Sequence, residues 1–173
     1  RVVDCCRNFL PQTASKLDDN RVSLLYEDGI KFISTKKNEY DLIIVDSTDP
    51  IGPGEGLFTE KFYENCFEAL KDDGILVNQH ESPYYENTAR LMKRTHKRIK
   101  QFFPISRVYQ AHIPTYGSGH WLFGFASKKY DPIKDLDDKA WNCLGLETKY
   151  YNTGLHKGSF ALPNYVIKML EDV

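Results

Sequence analysis

No apolar run in the 173-residue sequence approaches the ~20 residues that a membrane-spanning helix needs, so no membrane partner is expected. Cysteine is scarce: Cys5, Cys6, Cys66 and Cys143 complete the set. None of them has a metal-ligand spacing, and no histidine lies near them in a finger-like pattern. This excludes a zinc finger, predicts no metal site, and points to free thiols in a reducing compartment, with the cytosol as the expected location. A surplus of either charge is also missing. Lysine and arginine number 23 against 24 acids, which offers no electrostatic case for a nucleic-acid partner. There is no internal repeat and no low-complexity tract, and the length fits one domain.

What is present is an alternation of apolar runs and helical periodicities. "RVVDCCRNFL" sets Val2, Val3, Cys6, Phe9 and Leu10 near helical spacing, as in a helix already under way at Arg1; the expectation is a piece of a longer protein. Pro11 to Asn20 reads as a connection. "RVSLLY", 21–26, predicts a short strand running into Asp28-Gly29 and an amphipathic helix carrying Ile30, Phe32 and Ile33. "YDLIIVD" is a continuous apolar run of the kind buried on both faces of a parallel sheet. "FTEKFYENCFEALKDDG" predicts a helix with Thr59 as N-cap and Gly74 as its stop. "ILVNQ" is the next strand. A long helix follows from Thr88 to Phe102, opening as early as Tyr84, then the strands "SRVYQAHI" and "WLFGFASK" around "PTYGSGH", and a last helix near Tyr165 to Leu170. The order predicts an α/β fold with a mostly parallel sheet and an antiparallel terminal pair.

In such sheets ligands bind outside the carboxyl ends of the strands. "DLIIVDSTDPIGPGEG" delivers Asp46 and Asp49 there, into a loop with two prolines and three glycines; at the carboxyl end of a central strand the Asp46 carboxylate is expected to be partly desolvated. Turn chemistry accounts for one acid; two acids on one crevice raise the cost of ionising each other and suit a cationic ligand. Asp28 could accept a hydrogen bond from an exocyclic amine or could cap the following helix. Tyr116 could offer a phenol to a polar ligand or be an ordinary loop aromatic. Gln79 and Glu81 end the "ILVNQHES" strand beside the acids. The basic stretch "RLMKRTHKRIK" has an apolar stripe of Leu91, Thr95 and Ile99, with Met92, and reads as the solvated outer face of a helix. His80, His96, His112, His120 and His156 form no motif and receive no catalytic role.

"YDLIIVDSTDPIGPGEGLF", "NQHES", "FPISRVYQAHIPTYGSGHW" and "KYYNTGLHKGSFALP" resemble, in order and through most of the chain, the spermidine synthase family of polyamine aminopropyltransferases. The "D-S-x-D-P-x-G-P" element carries most of the specificity. The resemblance implies a Rossmann-like class I methyltransferase fold. It also implies transfer of an aminopropyl group from decarboxylated S-adenosylmethionine, a co-substrate and not a tightly bound cofactor, to putrescine, giving spermidine and methylthioadenosine. It implies Asp46 as proton acceptor and Asp49, Gln79 and Tyr116 as holders of the diamine. It sets Asp28 and Gly29 at the adenine end of the nucleoside, and Pro53 and Leu57 on a loop that closes over both substrates. Trp121 would be a pocket wall.

Two local departures stand out. Gly54-Glu55 replaces the family's Ala-Glu, which predicts a more flexible loop, and Gly117 stands where the family often has proline. A larger one is that the family's glycine-rich nucleoside loop, first strands and small N-terminal β domain should precede Arg1. Residues 1–173 are therefore expected to be an N-terminally incomplete catalytic domain, inactive alone, from a protein that forms a homodimer or homotetramer. The alternatives are a putrescine N-methyltransferase, which would use S-adenosylmethionine itself, and a non-catalytic homologue serving as an assembly subunit.

Overall fold

The run Tyr40–Val45 forms the first strand, β1, of a four-stranded sheet in the computed structural model, which describes residues 1–47, 52–171 and 173. Before it come α1 (Val2–Phe9), α2 (Pro11–Ala14) and α3 (Gly29–Ser34). After it come a 3-10 segment, η1 (Gly52–Phe58), then α4 (Glu60–Ala69), β2 (Leu70–Glu81), α5 (Glu86–Lys100), β3 (Ile105–His112), β4 (His120–Ser127), α6 (Asp138–Cys143), α7 (Thr153–Ser159) and α8 (Asn164–Glu171). The strand order is β1-β2-β4-β3. β1 and β2 are parallel, and β4 is antiparallel to both of its neighbours. Three strands therefore point one way and β4 is reversed, as expected for a mostly parallel sheet ending in an antiparallel pair.

The helices form where caps and apolar stripes coincide. The Thr59 hydroxyl accepts the Phe62 amide at 3.2 Å and starts α4, which buries Phe62, Tyr63, Cys66 and Ala69. Burying a side chain the size of Phe62 contributes roughly 1.5–3 kcal/mol. These residues of α4 meet Leu70, Leu76, Ile99 and Phe103 in the main core. Burial pushes the Cys66 thiol up to about 12, so this cysteine is packing and not a nucleophile. Helix α5 buries Met92, Thr95 and Ile99 and leaves Arg90, Arg94, Lys97 and Lys100 exposed, in agreement with a solvated basic face. A second core of Met92, Val108, Leu122 and Val166 seats α8 beside the hairpin.

Between these cores runs a polar seam that no sequence motif announced. Asn78 Nδ2 lies 3.0 Å from His80 Nδ1, and His80 Nε2 lies 3.4 Å from His96 Nδ1. Burial first, and the neighbouring His96 second, lower His80 to about 3. Burial, then Lys100, lowers His96 to about 4. Both rings are neutral joints at pH 7. Gly124 on β4 makes room for them: a Cβ there would sit 2.3 Å from Asn78 Oδ1 and 2.4 Å from His80 Cε1. His120 forms a third joint, 2.8 Å from Gln110 Oε1 and 3.0 Å from the Tyr165 hydroxyl.

The structure corrects several expectations. Residues 21–26 form no strand, because no ladder partner lies beside them among the described residues; Val22, Leu25 and Tyr26 are exposed. Gly74 does not stop α4. The helix ends at Ala69, Leu70 turns extended and fully buried, and Gly74 falls inside β2. The register explains this: Tyr40 pairs with Leu70 but Leu42 pairs with Ile75, so β2 carries an irregularity of three extra residues. At its neck a Cβ on Gly74 would come within 2.8 Å of Leu70 Cβ. The connection after α1 contains the short helix α2, and the tail contains α6 and α7. Asp137 and Asn152 cap these two by accepting the amides of Ala140 and Leu155 at 2.8 and 2.7 Å.

Candidate active site at the strand ends

Strand β1 ends at Val45, which pairs with Asn78, so Asp46 and Gln79 are the next residues on adjacent parallel strands. Asp46 lines an open cavity of about 360 Å³ together with Gly29, Val45 and Leu57, walled by Phe32 and Phe62. Three of the predicted residues, Gly29, Asp46 and Leu57, thus converge on one concavity. Gly29 has nothing within 4 Å of where a Cβ would be, so its backbone forms a low wall. The sequence predicts a partly desolvated carboxylate at Asp46, and the structure differs: Asp46 is exposed. It stands one residue past the ladder, on the sheet's edge strand, so no second neighbouring strand covers it among the described residues.

Asp28 lies at the start of α3, and its Oδ1 accepts the amides of Ile30 at 2.9 Å and Lys31 at 3.3 Å. Of its two readings the helix cap is the one seen, and the residue is exposed beside Gly29. Pro53 lies in η1 with Leu57. Asp49 lies outside the described residues. Gln79 is half-buried on β2 opposite Phe123, just before a register shift. Glu81, past that shift, is buried and has φ of 92°, a conformation that a non-glycine residue adopts only when its surroundings enforce it.

Tyr116 sits on the β3–β4 loop, at the same end of the sheet as Asp46 and Gln79. The loop is closed by Ile113 N–H to the Gly119 carbonyl at 2.8 Å and by Gly119 N–H to the Tyr116 carbonyl at 2.9 Å. The Tyr116 ring lies against Trp121, with centroids 4.3 Å apart. Ser82 Oγ, at the end of β2, donates to Ser118 Oγ at 2.9 Å, tying the Tyr116 loop to the strand that carries Gln79. Neither Gln79 nor Tyr116 lines the cavity of Asp46. No local sequence signal announces the Ser82–Ser118 tie; the pairing of β2 with β4 brings these two serines together. At Gly117 an added Cβ would lie 3.2 Å from the Tyr85 hydroxyl.

A second cavity, about 310 Å³, opens on the other side of the sheet between Val77, Tyr109, Phe125, Tyr151 and Phe160. It has an aromatic lining and no carboxylate, and it holds none of the predicted residues. Among the described residues no group of three histidines, cysteines or acids could hold a metal ion, and no helix is long and apolar enough to cross a membrane.

Comparison with known proteins bears directly on this arrangement. Residues 1–138 match the Spermine/spermidine synthase domain. The chain is 76% identical over 170 residues to a polyamine aminopropyltransferase of Alkaliphilus oremlandii, covering 98% of this chain and 60% of that protein. It is 75% identical over 172 residues to the corresponding protein of Clostridium perfringens, covering 99% of this chain and again 60% of the relative. The chain thus spans about three-fifths of the length of these relatives. Among solved structures, a spermidine synthase in complex with the transition-state analogue AdoDATO superposes with a TM-score of 0.93 at 44% identity, covering 99% of this chain and 58% of that one. Spermidine synthase from Thermotoga maritima gives 0.88 at 42%, covering 98% and 56%. The fold is the Rossmann-like methyltransferase fold of those enzymes, and on the strength of the match over residues 1–138 the chain belongs to the spermine/spermidine synthase family.

Proposed function

We propose that the protein to which these residues belong transfers the aminopropyl group of decarboxylated S-adenosylmethionine to putrescine, with residues 1–173 as part of its catalytic domain. The observation that carries this reading is the convergence of Asp46, Gly29 and Leu57 on one cavity at the carboxyl end of β1, with Gln79 on the adjacent strand. In the reaction the nitrogen lone pair of the amine attacks the aminopropyl carbon beside the sulfonium. The new C–N bond forms as the C–S bond breaks, the sulfur keeps the electron pair, and methylthioadenosine leaves as a neutral thioether. The amine proton passes to the Asp46 carboxylate.

An alkylammonium with a pKa near ~10.4 costs roughly 4–5 kcal/mol to deprotonate at pH 7. A positioned base contributes about 10²–10⁴-fold. Asp49, Gln79 and Tyr116 are proposed to hold the diamine, and Asp28, Gly29, Pro53 and Leu57 the nucleoside. The exposure of Asp46 in this chain means that water exclusion depends on bound substrate and on the rest of the protein. The 173-residue chain alone is expected to be inactive. The full-length protein is proposed to act as a homo-oligomer in the cytosol.

Asp46→Asn in the full-length protein tests the assignment. Turnover with putrescine should fall by about 10²-fold or more, while calorimetric binding of methylthioadenosine persists. Near-normal turnover would sink the role of Asp46. Product mass with each sulfonium donor in turn should show an added aminopropyl group and not an added methyl.

A further inference from the structure

We propose that Arg98 is a positioning residue for the site, holding Leu57 against the cavity through the carbonyl of Phe58. This rests on the functional reading above and adds to it a residue on the far side of the core. Arg98 belongs to α5, on which Arg90, Arg94, Lys97 and Lys100 are exposed to solvent and Lys93 is half-buried. Arg98 is half-buried, and its Nη1 donates to the Phe58 carbonyl at 2.5 Å, across 40 residues of sequence. Among the described residues none of the ion pairs includes Arg98. Its charge is directed at a backbone oxygen, which makes a stronger hydrogen bond than a neutral donor would.

That oxygen is the last carbonyl of η1. Leu57, which lines the cavity with Asp46 and Gly29, lies between two attachments. On one side Gly56 presses so closely on α3 that a Cβ there would lie 2.3 Å from Ile30 Cδ1, and its carbonyl also accepts the Thr59 hydroxyl at 2.9 Å. On the other side Phe58 is buried in the protein and clamped by Arg98. The residue after it, Thr59, caps α4. The clamp therefore fixes where η1 ends and α4 begins, and with it the height of the Leu57 wall. Arg98 touches no predicted substrate group, so its effect should appear in how well the nucleoside is held more than in the bond-making step.

The test compares Arg98→Met and Arg98→Lys with wild type in the full-length protein. Arg98→Met keeps an apolar stem and removes the donors. Amide exchange of the segment 56–59 should speed up by about tenfold while α4 and α5 beyond it stay protected. KM for decarboxylated S-adenosylmethionine should rise by about tenfold, with kcat within about twofold. Arg98→Lys, which keeps a charged donor, should fall nearer to wild type on both readouts. The clamp is refuted by unchanged exchange at 56–59, by exchange rising equally across the core with a lowered Tm, or by a lysine variant no better than methionine. If the wild-type full-length protein forms no product from putrescine, the functional reading fails, and exchange at 56–59 still decides the clamp.

Discussion

The two sides of the sheet treat similar apolar sequences differently. On β2 and β4, with neighbours on both edges, Leu76 and Leu122 are completely buried. On β1, with β2 on one edge only, Leu42 is 50% exposed and Ile44 67% exposed. Val22, Leu24, Leu25 and Tyr26, predicted as a strand, are likewise exposed. Hydrophobicity in a sequence states what a side chain needs; the occupancy of its flanks decides whether the need is met. The difference also separates chemistry from stability. The cavity of Asp46 opens at the sparsely covered edge, where a ligand can reach it. The interior holds a buried polar seam of Asn78, His80 and His96.

The contrast can be attacked where it should be strongest. Leu76→Ala removes a fully buried side chain from the main core and should cost about 2–5 kcal/mol in urea unfolding. A pH series probes the seam next. His80 and His96 have folded-state values lowered to about 3 and about 4 by burial, against ~6.5 unfolded. The unfolded chain therefore takes up protons first as pH falls. Stability is fully present above ~6.5 and drains away toward the folded values. Between pH 7 and pH 5 the loss should be roughly 2 kcal/mol for each histidine, read as a falling denaturation midpoint. A flat profile over that window would mean that burial does not hold these two rings neutral. The smallest effect belongs to the open edge: Ile44→Ala in this chain should stay within about 0.5 kcal/mol. If it cost as much as Leu76→Ala, the distinction between the two regions would collapse.

Much of the architecture was legible because it depends on short-range signals. The 3.6-residue stripe of Met92, Thr95 and Ile99, the Thr59 cap and the continuous run of Tyr40–Val45 each form a pattern within a few residues, and each became the expected element. The misreadings have a common cause. Gly74 looked like a helix stop because glycine commonly follows a helix, yet the constraint on it comes from Leu70 folding back beneath it. The caps Asp137 and Asn152 were overlooked because the helices they start are only 6 and 7 residues long. Too few apolar positions fall within so short a window to reveal a period. At the site, Asp46, Gly29 and Leu57 were named from the residues and the resemblance, and the fold gathers them. In the sequence Arg98 reads as part of a solvated face, since nothing near it points to Phe58.

The sequence by itself determined the alternation of helices and strands, the strand-end position of Asp46, the absence of a metal-ligand pattern and the family resemblance. All of these reside in local spacing and residue type. Only the tertiary structure decided that Asp46 stands exposed and that three histidines serve as neutral or hydrogen-bonded joints. It alone revealed that a cation on α5 grips the end of η1. Each of these depends on a partner tens of residues away or on which edge of a strand is covered, and no window of neighbouring residues carries that information.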